Sequence, residues 1–152
     1  MVYEAASDTV ILFGGTVRGD PDYTALGDTV IYDPAAAVWT DLDPAFAPPA
    51  RSDHAMSYDE DDGQVILFGG CGTGDNCFGD TWGYDPLTFS WLDLEPLGET
   101  PSPRQCATLV YDPGSGASLL FGGTEYFDQF NDTWAYDRAT NAWVVIDKAS
   151  PS

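Results

Sequence analysis

Three cysteines and one histidine are the side chains of this sequence best suited to metal binding or nucleophilic chemistry. Cys71 and Cys77 bracket a short glycine-rich stretch, Cys-Gly-Thr-Gly-Asp-Asn-Cys, while Cys106 stands apart. A disulfide between Cys71 and Cys77, two free thiols, and a zinc site are the three interpretations of this spacing. Two cysteines without a second pair make a poor zinc motif, so no metal is expected there.

His54 and a run of carboxylates are the remaining candidates. Packing in a core or channel explains His54 more simply than an acid–base or metal role does. The run Asp59-Glu60-Asp61-Asp62-Gly63 resembles part of a calcium loop but lacks the spacing of a twelve-residue site. We therefore expect a solvated hairpin turn, with weak calcium binding as the alternative, and no other cofactor.

The charge balance limits the classes of partner. Asp and Glu number 25 against five Lys and Arg, which gives a net charge of −20. Such a surface repels phosphate, so nucleic acid and anionic membranes are not expected as partners, whereas cations, basic proteins and neutral sugars remain open. The acidity favours an extracellular or cell-surface setting, although residues 1–7 lack the features of a secretory signal.

One pattern occurs three times along the chain. The apolar run ending in Phe-Gly-Gly appears at residues 10–15, 65–70 and 118–123. The sequence Asp-Thr-x-x-Tyr-Asp begins at Asp28, Asp80 and Asp132, and a tryptophan follows at positions 39, 91 and 143, so both features repeat every 52 residues. A fixed period of this length predicts a repeat architecture.

Each unit is predicted to contain four short strands. Aromatic residues make up 14% of the chain, alongside 16 Gly and 11 Pro, which is typical of strands separated by turns. The run before Gly-Gly is apolar throughout rather than alternating, so this strand is expected to be covered on both faces. Four-stranded sheets stacked around an axis provide that cover, and the sequence therefore predicts an all-β propeller.

The units resemble kelch repeats. Residues 130–137, Phe-Asn-Asp-Thr-Trp-Ala-Tyr-Asp, match the kelch form in full, and a Pro-x-Arg or Pro-Arg sequence precedes the first strand at Arg51 and Arg104. The first and second units depart from the pattern, since Gly27 and Gly79 replace the Asn, and the first unit also has Val30 in place of the Trp. The resemblance implies three blades, at residues 1–47, 48–100 and 101–152.

Residues that recur in every blade are interpreted as structural, because a catalytic group is needed only once. The glycines allow close approach of the backbone, the aspartates accept hydrogen bonds from backbone groups, and the tyrosines and tryptophans pack between blades. These residues are Gly14, Gly15, Asp28, Tyr32, Trp39, Gly69, Gly70, Asp80, Tyr84, Trp91, Gly122, Gly123, Asp132, Tyr136 and Trp143.

Binding is expected where the units differ. The loops after Gly-Gly cover residues 16–26, 71–79 and 124–131, and the resemblance places them on the same face as the connections between blades. Their candidate partner-binding residues are Arg18, Asp20, Tyr23, Arg51, Asp53, His54, Asp75, Asn76, Phe78, Arg104, Gln105, Tyr126, Phe127 and Asp128.

Three blades do not close a ring and leave two apolar faces bare. A second copy of the chain would complete six blades; a longer propeller or a docked partner are the alternatives. The function favoured is that of a binding or assembly module that recognises a protein or a glycan. The rivals are part of an enzyme, since galactose oxidase and sialic acid epimerases use related propellers, and a purely structural self-assembling half.

Overall fold

The computed structural model describes residues 1–19, 23–74 and 76–148 and contains three four-stranded antiparallel sheets. Blade 1 consists of β1 (Val2–Glu4), β2 (Thr9–Arg18), β3 (Tyr23–Asp33) and β4 (Val38–Leu42). Blade 2 consists of β5 (Ala55–Asp59), β6 (Gln64–Phe68), β7 (Thr81–Asp85) and β8 (Ser90–Asp93). Each sheet has its strands in chain order, so every connection is a hairpin between neighbours.

Blade 3 has the same order with a small hairpin inserted. Its strands are β9 (Thr108–Asp112), β10 (Ala117–Phe121), β13 (Asp132–Asp137) and β14 (Ala142–Lys148). Between β10 and β13, β11 (Thr124–Glu125) and β12 (Asp128–Gln129) form a separate two-stranded sheet. The all-β propeller architecture predicted from the repeat is confirmed.

The blades pack face to face through two clusters of apolar side chains. Ile11 and Phe13 of blade 1 lie against the face of blade 2 that includes Trp82, Tyr84 and Trp91. We call the face of each blade that carries these tryptophans its rear face, and the opposite one its forward face. The opposite, forward face of blade 2 contacts the rear face of blade 3 in the same way. That second cluster contains Ile66, Phe68, Leu94, Leu109, Leu120, Trp134, Tyr136 and Trp143. Because β6 supplies side chains to both clusters, its sequence is apolar without alternation.

The two outer faces have no such cover. The forward face of blade 3 exposes Phe121, Val144 and Ile146, whereas Phe68 and Leu94, the equivalents of Phe121 and Ile146 in blade 2, are buried. On the rear face of blade 1, Trp39 is 52% exposed, while Trp91 and Trp143 are each 4% exposed. The expected pair of bare blade faces is therefore present in the single chain.

Blade 1 differs from the prediction in one respect. Residues 16–26 were expected to form a loop, but β2 and β3 continue past Gly15 as a ribbon, with Gly15 opposite Leu26 and Arg18 opposite Tyr23. A shift of register between Phe13 and Gly15 separates the ribbon from the blade. Its Thr-Val and Tyr-Thr sequences favour strand, which explains the extension.

Candidate functional site: the groove on the loop face

Arg51 and Arg104 were expected on the exposed loop face, but they are buried, with 0% and 1% of their surface exposed. The guanidinium of Arg51 donates to both carboxylate oxygens of Asp80, at 2.5 and 2.7 Å, and to the carbonyl of Gly69 at 2.9 Å. Its Cζ lies 4.1 Å from the centre of the Phe78 ring. All of these partners belong to blade 2, so the arginine is a structural element and its charge is not available to a ligand.

Arg104 repeats this arrangement in blade 3. Its guanidinium donates to Asp132 at 2.6 and 3.1 Å and to the Gly122 carbonyl at 2.9 Å, and it lies 4.0 Å from the Phe130 ring. Burial alone would raise the pKa of Asp132, but the hydrogen bonds from Arg104 and Trp134 outweigh it and lower that pKa. Asp132 is thus held as a carboxylate.

The backbone of each arginine contacts the preceding blade. The amide of Arg51 donates to the Leu26 carbonyl and its own carbonyl accepts from the Gly15 amide, both at 2.9 Å. Arg104 pairs in the same way with the Phe78 carbonyl at 3.2 Å and the Gly70 amide at 2.8 Å. We call this combination the arginine clasp: the backbone binds one blade and the side chain binds the next.

The repeated aspartates also differ from expectation. They were predicted to accept hydrogen bonds from backbone groups, and Asp132 does accept one from its own backbone amide. The carboxylates of Asp80 and Asp132 also accept from an arginine and from an indole, which was not predicted. The indole donors are Trp82 and Trp134, each at 2.7 Å. The arginines recur 53 residues apart, and this recurrence was the signal in the sequence that they too are structural.

A groove remains on the loop face between the ribbon of blade 1 and the inner ends of blades 2 and 3. Of the predicted binding residues that the structure describes, it includes Tyr23, Asp53 and Gln105. Its lining is formed by Thr16, Tyr23, Ala25, Ser52, Asp53, Cys71, Gly72, Thr73, Gly74 and Gln105. Ser52 and Thr73 lie in segments that were expected to form the loop face, but they were not among the residues predicted to bind a partner.

A disulfide between Cys71 and Cys77 forms one wall of the groove, with the two Cα atoms 3.9 Å apart. Within the loop, the amide of Gly72 donates to the Asn76 carbonyl at 3.0 Å. The hydroxyl of Thr73 accepts from the Ala25 amide at 3.0 Å, which ties this wall to the ribbon of blade 1. Asp75, like Asp20, lies outside the described residues.

The floor of the groove is formed by the segments that lead into β5 and β9. Ser52 and Cys71 exchange two backbone hydrogen bonds of 2.9 Å, and the amide of Cys106 donates to the Asp53 carbonyl at 2.8 Å. Asp53 and Cys106 both have φ of 56°, so this conformation belongs to the construction of the blade. It leaves the Asp53 carboxylate exposed at the groove.

Cys106 is an exposed free thiol next to Asp53. Burial of the sulfur, and then the charge of Asp53, raise the pKa of the thiol. A raised pKa keeps the thiol protonated at neutral pH, so Cys106 is poorly suited to act as a nucleophile.

His54 points into the interface between blades 1 and 2. Its ring lies 5.7 Å from the Phe13 ring in an edge-to-face arrangement. Burial, followed by the charges of the N-terminal amino group and Arg51, lowers its pKa to about 4. His54 is therefore uncharged at neutral pH and does not line the groove.

The other candidate residues are dispersed. Arg18 and Asn76 are exposed but lie outside the lining of the groove. Tyr126, Phe127 and Asp128 form the tip of the β11–β12 hairpin, where Phe127 is 100% exposed. Phe78, which was expected at the surface, is covered by Arg51.

The carboxylate run at residues 59–63 forms the turn between β5 and β6. The buried side chain of Asp59 accepts hydrogen bonds from the amides of Asp61 and Asp62 at 3.1 and 3.2 Å. Within residues 1–19, 23–74 and 76–148, no group of three or more His, Cys, Asp or Glu residues is placed to hold a metal ion. The same residues include no helix with the length and apolarity needed to cross a bilayer.

Comparison with known proteins agrees with the repeat. The model of the KLHDC2/KLHL20/DRC7 Kelch-repeats domain matches residues 2–151. Human Kelch domain-containing protein 3 is 35% identical over 99 residues, which cover 62% of this chain and 24% of that protein. An F-box/kelch-repeat protein of Arabidopsis thaliana is 31% identical over 130 residues, covering 76% and 26% respectively.

A third relative is Dynein regulatory complex subunit 7 of Chlamydomonas reinhardtii. It is 32% identical over 76 residues, which cover 50% of this chain and 6% of the relative. The chain spans about a quarter of the length of the first curated relatives it matches. With three matching sheets and a family match over nearly its whole length, the chain belongs to the kelch-repeat family.

Proposed function

We propose that this chain is a protein-interaction propeller segment whose loop-face groove binds an extended, basic or uncharged segment of a partner protein. The observation that carries the proposal is the groove itself, with Tyr23 on one side and the exposed Asp53 carboxylate at its floor. Kelch-repeat relatives, which are typically binding modules rather than enzymes, support a protein as the partner.

Charge favours a basic or neutral occupant over an acidic one. The chain has a net charge of −20, and Arg51 and Arg104 are engaged in ion pairs, so Arg18, opposite Tyr23 in the ribbon, is the exposed arginine near the groove among the described residues. Asp53 is exposed, and within residues 1–19, 23–74 and 76–148 its side-chain partner is Ser52, at 3.0 Å. An acidic segment would meet uncompensated negative charge at the floor of the groove, whereas a lysine or arginine would be attracted to it.

A library of twelve-residue peptides displayed on phage is the probe for this proposal. Peptides selected on the chain are expected to be enriched in Lys and Arg, and to lose at least tenfold in affinity for Tyr23→Ala and Asp53→Asn. Leu87→Ala, an exposed residue in the turn between β7 and β8, is the matched control and should bind normally. Selection of acidic peptides, or equal binding to all variants, would contradict the proposal; a glycan array tests sugars as the alternative ligand.

We further infer that a second copy of the chain covers the bare blade faces and completes a six-bladed ring. The supporting observation is the tryptophan contact at both internal interfaces: Trp91 donates to Thr29, and Trp143 to Thr81, each at 2.9 Å. Trp39 and Thr133 hold the same two positions on the outer faces. In a head-to-tail dimer each would find its partner in the other copy.

Light scattering coupled to size-exclusion chromatography tests this assembly. The wild-type chain is expected to have the molar mass of two chains at micromolar concentration, and Ile146→Asp the mass of one, because Leu94, its equivalent at the internal interface, is buried and a charge there would be buried in the new interface. Leu87→Ala should remain a dimer. A wild-type mass of one chain would overturn the two-chain ring without affecting the groove, and would favour further blades from a longer polypeptide.

A further inference from the structure

The arginine clasp occurs twice in this chain, and a third aspartate at the equivalent position, Asp28, has no arginine bound to it among the described residues. Asp28 occupies the position in blade 1 that Asp80 and Asp132 occupy in blades 2 and 3. The side chain of Asp28 has no hydrogen-bond or ion-pair partner among the described residues, and Asp28 is exposed. By contrast, the arginine-bound Asp80 and Asp132 side chains are 27% and 19% exposed.

We propose that Asp28 binds the guanidinium group of an arginine carried by an extended Pro-x-Arg segment, which completes blade 1 as Arg51 and Arg104 complete the other two blades. The ligand is thus an arginine side chain on an extended peptide, and it makes a bidentate ion pair with the Asp28 carboxylate. The Gly14 carbonyl, the equivalent of the Gly69 and Gly122 carbonyls, is the third acceptor.

The surroundings of Asp28 are open and acidic. Asp28 lines a cleft together with Asp41 and Asp43, and with the apolar side chains of Leu42, Pro44 and Ala47. A single cation entering this cleft would meet three carboxylates, whereas Arg51 pairs with one. This charge favours a guanidinium and excludes an acidic ligand.

Blade 1 also departs from the filled clasps. Leu26 replaces the aromatic ring that Phe78 and Phe130 place against the guanidinium, and Val30 replaces the tryptophan that donates to the aspartate. Leu26 can contact the aliphatic part of an arginine but offers no π face. The carboxylate of Asp28, without an indole donor, keeps all of its acceptor positions for the incoming guanidinium. We therefore expect a weaker site than the two internal ones.

The backbone half of a further clasp is open at the other end of the chain. Gly123 and Phe130 correspond to Gly70 and Phe78, whose amide and carbonyl bind the backbone of Arg104. The Gly123 amide and Phe130 carbonyl have no hydrogen-bond partner among the described residues. In the proposed two-chain ring, the backbone of one Pro-x-Arg segment would lie on blade 3 of one copy and its arginine side chain on Asp28 of the other. This placement depends on the ring, whereas the Asp28 site itself does not.

An N-terminal extension tests the Asp28 site in the full chain. Val2 pairs with Ile11 as Ser57 pairs with Ile66, so Met1 corresponds to Met56. Seven residues copied from positions 49–55 and fused before Met1 therefore place an arginine in register with Asp28. We expect this extension to raise the Tm by about 5 °C, because the bidentate ion pair forms only in the folded state.

Two substitutions show whether the gain comes from the ion pair. Glutamine in place of the added arginine should remove most of the gain, and so should Asp28→Asn in the extended chain. Asp62→Asn removes an equal charge from the exposed turn between β5 and β6, outside this cleft, and is the control that should keep the gain. Measurement at a concentration where light scattering shows a single chain separates this result from ring formation.

A free peptide identifies the source of the arginine. The six-residue peptide Pro-Ala-Arg-Ser-Asp-His is added to the unextended chain, and the amide signals of Asp28 and Thr29 are followed by NMR. Saturable shifts support binding of a separate molecule, provided that the affinity is at least tenfold weaker for the same peptide with lysine in place of arginine. A gain in Tm from the tethered arginine without such shifts supports a covalently linked segment. A gain that survives Asp28→Asn, or no gain together with no shifts, overturns the proposal.

Discussion

The indole Nε1 of Trp143 donates a hydrogen bond of 2.9 Å to the hydroxyl of Thr81, across the interface between blades 2 and 3. Both groups are buried, so water cannot replace either of them as a hydrogen-bond partner. Trp91 and Thr29 make the same contact, at the same distance, across the first interface. A polar pair thus fixes how each blade is aligned on the next, inside an otherwise apolar contact.

Thr81→Val is expected to destabilise the chain by about 1–3 kcal/mol, because it leaves the Trp143 indole buried without an acceptor. Urea unfolding measures the change in the free energy of unfolding. The matched control is Thr133→Val, measured at a concentration where light scattering shows a single chain, since Thr133 faces no tryptophan among the described residues of one chain. Equal losses for the two variants would show that the hydrogen bond across the interface is not the cause.

Gly69→Ala and Gly122→Ala form a second matched pair. Both glycines have positive φ, 68° and 65°, so both substitutions carry a backbone cost of about 1 kcal/mol. A Cβ at position 69 would lie 2.5 Å from the Arg104 carbonyl oxygen, whereas at position 122 the nearest atom is 3.3 Å away. We expect Gly69→Ala to lower the Tm much further than Gly122→Ala, and similar Tm values would contradict the close approach of the two blades.

Arg104→Lys tests the side-chain half of the clasp. A lysine can pair with Asp132 but cannot reproduce the two parallel hydrogen bonds to its carboxylate or the planar contact with the Phe130 ring. The expected loss is about 2–4 kcal/mol of unfolding free energy, as for a disrupted buried ion pair. Arg18→Lys, at an exposed position, is the control and should unfold as the wild type does.

Stability is expected to fall in mild acid because of His54. Its pKa in the folded chain is about 4, below the ordinary value of 6.5, so between these values the unfolded state binds more protons than the folded state. The free energy of unfolding is unaffected by this group above pH 6.5 and falls as the pH is lowered from there. By about pH 4 the loss reaches at most about 3 kcal/mol. His54→Asn should flatten the curve of unfolding free energy against pH in this window; an unchanged slope would show that other groups cause it.

Reduction of the disulfide should loosen the wall of the groove. The loop closed by Cys71 and Cys77 is short, so its entropic contribution to stability is only about 2 kcal/mol. We expect the Cys71→Ser/Cys77→Ser variant to remain folded and to bind the selected peptides more weakly. Cys106→Ser, which changes the exposed free thiol, serves as the control for cysteine replacement.

The fold could be predicted from the sequence because its signal recurs. Apolar runs ending in Phe-Gly-Gly, followed by Asp-Thr at a constant interval, define the central strands of every blade, and the structure has those strands. The limits assigned to the blades stay a prediction. The continuation of β2 and β3 beyond Gly15 was missed because a change of length between repeats suggests a loop, whereas the β-branched residues there favour a ribbon.

The candidate site was predicted less well, for a physical reason. Exposure was assigned from position in a connecting loop, and charged loop residues are usually solvated. Arg51 and Arg104 violate that expectation because Asp80 and Asp132, about half a repeat later in the chain, neutralise them inside the blade. Thr73 joins the groove only because the disulfide loop folds back onto Ala25, a contact over 48 residues that no local pattern encodes.

The clasps have a consequence for how the chain opens. Arrays of repeats can unfold one unit at a time when neighbouring units interact weakly. Here blade 2 takes part in both clasps, receiving the backbone of Arg104 and the side chain of Arg51, whereas blades 1 and 3 each take part in only one. In the single chain, amide hydrogen exchange should therefore be fastest in the terminal sheets and slowest in β6 and β7, so that the middle of the molecule is the last part to lose its protection.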